Sequence, residues 1–184
     1  MRASGWVRLA LLAAATAVVG SSVAAQETPA IDPSDPFRCI ASSGFFNDVE
    51  LGVRPSWAMA SGTLVFHAVH PECKCRRAEV SLLFTSVSAD PDKEHGNGLT
   101  AVIRADDPAH VHLLLMIDGK QRAFGDYDYG KPIPFKVVFD DAKATMMVES
   151  GKFAETVKPP QLRRSTIYIP CLSADVSVAD LAVE

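Results

Sequence analysis

Apolar and polar residues alternate along much of this chain with a period of two, the spacing of a half-buried β-strand. Val49-Glu50-Leu51-Gly52-Val53-Arg54 alternates strictly, and residues 62–69 (GTLVFHAV) and 78–84 (AEVSLLF) are short β-rich runs bounded by turn formers. Residues 99–105 and 111–117 predict two further strands, the second closed by Asp118-Gly119. The pattern is clearest after Pro134: Phe135, Val137 and Phe139 share a face, residues 140–143 turn, and 144–149 return to Ser150-Gly151 as a hairpin. Residues 165–169 and 175–183 complete a set of about nine or ten strands, with no 3.6-period stretch long enough to predict a helix. Residues 90–98 (DPDKEHGNG) read as a polar loop. Short strands separated by polar turns predict an all-β sandwich or barrel, and the lack of any repeat speaks against a propeller or solenoid.

The first 25 residues do not follow this pattern. Arg2 and Arg8 form a positive region ahead of a short apolar stretch, residues 9–20 (LALLAAATAVVG), and SSVAA offers a small-residue exit near Ala25. The stretch is shorter than the roughly 20 residues a membrane helix needs, so it predicts a cleaved secretory signal over 1–25. Residues 26–36 (QETPAIDPSDP) then form a Pro-rich extended lead-in, and 37–184 a single domain. A secreted or periplasmic protein with no membrane span is the expectation. Removing 25 residues from 184 leaves 159, and losing two arginines turns 18 cations against 22 acids into 16 against 22, a net charge of −6. That charge excludes nucleic acid and anionic membrane surfaces as electrostatic partners.

All four cysteines, Cys39, Cys73, Cys75 and Cys171, lie beyond the leader, and an even count in an oxidising compartment predicts disulfides. Three pairings are open. Cys39 with Cys171 ties the ends of the domain and leaves Cys73 with Cys75 in a tight ring. The alternatives join Cys39 to one member of the Cys-Lys-Cys pair and Cys171 to the other.

Residues 46–54 (FNDVELGVR) followed by 60–66 (ASGTLVF) resemble an early segment of concanavalin A-like, laminin-G-like jelly rolls. In that superfamily a Phe-x-Asp-Val-x-Leu-x-Val strand precedes a Gly-x-Leu-x-Phe strand. Residues 174–183 (ADVSVADLAV) are similar to its closing strand, and Phe135 to Lys152 to its strand–turn–strand–Gly pair. The resemblance implies a two-sheet antiparallel jelly-roll sandwich, here stapled by disulfides. Its motifs consist of core and turn residues, so they speak to fold and not to function.

Several groups carry candidate chemistry. His67, His70, Cys73 and Cys75 form a His-x2-His-x2-Cys-x-Cys string of soft-metal ligands, useful only while the cysteines are thiols. His110 and His112 are two apart on one strand, which lets both reach a single Zn²⁺, although only two ligands are visible. Arg76-Arg77-Ala78-Glu79-Val80 resembles the Arg-x-Glu-Leu strand of alginate-type lyases, in which an arginine neutralises a uronate carboxylate while Tyr or His abstracts a proton. The resemblance implies roles for Arg77, Glu79 and His112. The family's Gln-Ile-His segment is replaced by His110-Val111-His112, and its Tyr-x-Lys-x-Gly-x-Tyr-x-Gln strand is absent. The paired-carboxylate strand of laminarinase-like jelly rolls is missing too. Asp126-Tyr127-Asp128-Tyr129, as an extended segment, puts two carboxylates on one face and two tyrosines on the other, a candidate surface for sugar hydroxyls and rings. Trp57, the one tryptophan beyond the leader, is a further candidate. Asp90, Asp92 and Glu94 offer oxygen ligands for Ca²⁺ without an ordered ligand ladder. No nucleophile elbow, phosphate loop or dinucleotide fingerprint occurs. The function expected is a non-catalytic exported module that binds a glycan or a partner protein. The alternatives are a divergent lyase-like enzyme using Arg77 and Glu79 and a periplasmic metal-binding protein using His110 and His112.

Overall fold

The computed structural model describes residues 37–52, 57–86, 96–158 and 166–184. Among these described residues twelve strands form two six-stranded antiparallel sheets. The first sheet holds β1 (Phe37–Ile40), β12 (Ala174–Val183), β3 (Met59–Val69), β8 (Ile133–Asp140), β9 (Thr145–Ser150) and β10 (Phe153–Val157), side by side in that order. The second holds β2 (Phe46–Gly52), β11 (Thr166–Leu172), β4 (Arg77–Ser86), β5 (Gly96–Arg104), β6 (Asp107–Ile117) and β7 (Lys120–Asp128). Among the described residues no helix is long and apolar enough to cross a membrane. The leader, the lead-in and the acidic loop with Asp90, Asp92 and Glu94 lie outside the described residues.

The period-two pattern becomes the core. Ile133, Phe135, Val137 and Phe139 of β8 face Ala78, Val80, Leu82 and Phe84 of β4 and Val111, Leu113 and Leu115 of β6 within one buried cluster. Strand β5 is buried on both faces except at Arg104, as befits a strand with neighbours on either side. Of the three open cysteine pairings the structure has Cys39–Cys171 and Cys73–Cys75. The first links β1 of one sheet to β11 of the other. Trp57 is 4% exposed, and its ring meets Phe139 edge-on at 5.0 Å and Phe84 at 6.1 Å. It is therefore a core aromatic, which corrects its reading as a ligand platform.

Candidate functional site

On the second sheet, residues whose side chains point away from the core form cross-strand rows. Pairing aligns Phe46 with Leu172, Leu172 with Glu79, Glu79 with Val102, Val102 with His112 and His112 with Asp126. The row crosses all six strands, a span of about 24 Å at the usual strand spacing. The lyase-like trio Arg77, Glu79 and His112 thus shares one face, with β5 between its members. Arg77 Nε lies 3.1 Å from Glu79 Oε2, and with Phe46, Pro170 and Leu172 the pair lines a cleft of about 130 Å³.

The histidine end is denser. His112 Nδ1 is 2.8 Å from Asp126 Oδ1, and its Nε2 is 3.1 Å from Asp107 Oδ2. That second approach is poorly aligned, leaving Nε2 buried without a hydrogen bond, as is Glu79 Oε2 in the same row. The other oxygen of Asp107 lies 2.7 Å from His110 Nδ1. This hydrogen bond, reinforced by the charge of Asp107, raises the His110 pKa above its ordinary 6.5, with Asp128 and Asp126 adding to the effect. The same bond lowers the pKa of Asp107. Asp107 was not among the residues expected from sequence, and its only signal is its place three residues before His110 in the same strand.

Asp126 and Asp128 lie on this outer face opposite His112 and His110, whereas Tyr127 turns inward. The Tyr127 hydroxyl donates to Ser150 Oγ at 2.9 Å, because Ser150 spends its own hydrogen on the Pro134 carbonyl at 2.6 Å. Its ring meets Phe153 at 6.1 Å, while Tyr129 is 37% exposed beyond the strand. Asp126, Tyr127 and Asp128 line a cavity of about 390 Å³ with Lys131, Gly151, Lys152 and Phe153, within the size range of small-ligand sites.

No family model matches the sequence, and no curated protein matches it. Among solved structures the chain is similar to a sialidase at 12% identity and a TM-score of 0.52, covering 78% of this chain and 15% of that one. It is similar to an alginate lyase from Pseudomonas aeruginosa at 15% identity and a TM-score of 0.50, over 70% of this chain and 64% of the lyase. The fold is a two-sheet antiparallel jelly-roll sandwich. A carbohydrate-binding module from Bacillus subtilis is also similar, at 13% identity and a TM-score of 0.46, covering 80% of this chain and 85% of that one. At such identities the likeness concerns the jelly roll alone.

The jelly roll separates the expected metal ligands. His67 lies on β3 in the other sheet, with Nε2 2.9 Å from Ser177 Oγ. His70 Nδ1 is 3.4 Å from Glu72 Oε1 in the turn after β3. With Cys73 and Cys75 oxidised, the His-x2-His-x2-Cys-x-Cys string has no thiolates to offer. Among the described residues no group of three or more His, Cys, Asp or Glu side chains is arranged to hold a metal ion.

Proposed function

We propose that this protein is an exported glycan-binding module that receives a saccharide on the outer face of its second sheet, at the His110–His112 end. The observation that carries this reading is the double membership of Asp126. It stands in one row with Glu79 and His112, and it also lines the cavity with Asp128, Lys131 and Lys152. Acceptors and donors therefore converge beside a concavity, and hydroxyl groups are bidentate partners for such a set. Glu79 Oε2 and His112 Nε2 each face an opposite charge, Arg77 Nε and Asp107 Oδ2 at 3.1 Å, without a well-aligned hydrogen bond, and a saccharide hydroxyl that displaces either partner can supply one. Export rests on the tripartite leader, and the mass of the mature chain tests it: cleavage after Ala25 gives a protein that begins at Gln26.

Thermal shift against neutral and uronate oligosaccharides tests the binding, because a ligand of the native state raises the melting temperature by mass action. A shift with a saccharide is expected, reduced at least about tenfold in affinity by His112→Ala, as loss of one or two buried polar contacts implies. Failure of every saccharide to shift the wild-type protein defeats the glycan reading.

A lyase-like reading is the alternative, favoured by one geometric fact. If His112 Nδ1 donates to Asp126, Nε2 carries the lone pair on the face it shares with Arg77, and Asp107 Oδ2, 3.1 Å away, must swing aside for it to act as a base. Ultraviolet-absorbing unsaturated product from a uronate polymer, abolished by His112→Ala, is its signature.

A further inference from the structure

The two disulfides occupy opposite environments. Cys39 and Cys171 are 0% and 1% exposed, out of reach of any reagent while the protein is folded. Cys73 is 8% exposed, and Cys75 is open to solvent in the turn between β3 and β4. That turn carries Lys74 and Arg76 against the single acid Glu72, while Arg77 opens β4 and pairs with Glu79, so the turn presents a net positive charge to an incoming thiolate. Ser173 is fully buried and its Oγ lies 3.6 Å from Cys75 Sγ. The Gly44 N–H donates to the same Oγ at 2.8 Å, so the serine hydrogen is free to point at the sulfur. Backbone hydrogen bonds hold the turn alongside the disulfide. Arg76 N–H bonds the Cys73 carbonyl at 2.8 Å, Cys73 N–H the His70 carbonyl at 3.3 Å, and Ala105 N–H the Arg76 carbonyl at 3.1 Å.

We propose that Cys73–Cys75 is a thiol–disulfide exchange site for low-molecular-weight thiols, with Cys75 the sulfur that reacts with them and Cys73 the resolving one. An incoming thiolate attacks the exposed Cys75 sulfur. A mixed disulfide forms on Cys75, the Cys73–Cys75 bond breaks, and Cys73 leaves as thiolate. A second thiolate then attacks the outer sulfur of the mixed disulfide, releasing the small disulfide and the Cys75 thiolate, which the Ser173 hydroxyl stabilises. Two thiols are oxidised and one protein disulfide is reduced, and the two thiol protons finish on Cys73, Cys75 or solvent. In the reverse direction Cys75 attacks the small disulfide and Cys73, held close by the hydrogen-bonded turn, closes the ring.

The test equilibrates the folded protein in graded reduced and oxidised glutathione, traps thiols with N-ethylmaleimide and maps peptides by mass. Cys73 and Cys75 are expected to open at ratios that leave Cys39–Cys171 wholly oxidised and the circular dichroism unchanged. The trapped adduct should lie on Cys75, and Cys73→Ser should accumulate it there. Ser173→Ala should slow the second step by about threefold or more, the size of one lost hydrogen bond to a thiolate. A pair that stays oxidised throughout, that opens only together with Cys39–Cys171, or that carries glutathione on Cys73 overturns the proposal.

Discussion

At His110 a single carboxylate decides the charge state of an exposed ring. Its Nδ1 lies 2.7 Å from Asp107 Oδ1, while His112 stands beyond and Asp126 and Asp128 face the pair from β7. The hydrogen bond to Asp107 raises the His110 pKa, so the stabilisation it brings is complete below the ordinary value of 6.5 and is lost as pH rises through the folded value. For Asp107, whose pKa is lowered, the contribution is present above 3.8 and disappears as pH falls through the folded value. An NMR titration should find the His110 midpoint above 6.5, and Asp107→Asn should bring it back toward that value. A midpoint at or below 6.5 in the wild-type protein contradicts the Asp107–His110 geometry.

At the scale of the strand, close approach explains a residue that no periodicity marks. A Cβ built on Gly98 of β5 would lie 1.9 Å from the Leu82 carbonyl oxygen, beside the irregular pairing between Leu83 and Thr85. Backbone must move to admit it, so Gly98→Ala should cost about 2–3 kcal/mol, measured by urea unfolding. A loss under about 0.5 kcal/mol would show that this approach is relieved at little cost. The same strand shows why part of the fold escaped the sequence. Gly96, Asn97 and Gly98 look like turn formers, yet they open β5, because Asn97 is buried and its Oδ1 accepts the Asp118 N–H at 2.9 Å. The β8–β9 hairpin was legible since its alternation matches the inward and outward faces residue by residue. Strands β1, β7 and β10 were not. Phe37–Ile40 and Phe153–Val157 are too short to show a period, and Lys120–Asp128 is an edge strand with a largely exposed, polar sequence. The candidate site was partly legible for a related reason. Residue type singled out Arg77, Glu79, His110 and His112, but the alignment of Glu79 and His112 with Asp126 follows from register across four strands, which local pattern does not contain.

For the molecule as a whole, the decisive cross-link is the one that joins the two sheets. Cys39 and Cys171 are 132 residues apart, and closing so long a loop in the unfolded chain corresponds to about 5 kcal/mol in the chain-entropy account. Cys73 and Cys75 are separated by 2, which on the same account gives only about 1.5 kcal/mol. Paired alanine substitutions should separate these values by denaturant titration. Cys39→Ala with Cys171→Ala should remove about 5 kcal/mol or more, the packing of two buried sulfurs adding to the entropic part, whereas Cys73→Ala with Cys75→Ala should remove less than about 2 kcal/mol. The m-value of the first variant should rise, because its unfolded chain is no longer held compact. Equal losses for the two double variants would mean that the short ring braces the β3–β4 turn in the native state. The predicted asymmetry, by contrast, leaves the turn free to change its redox state while the long link keeps the sheets, and with them the row from Phe46 to Asp126, in register.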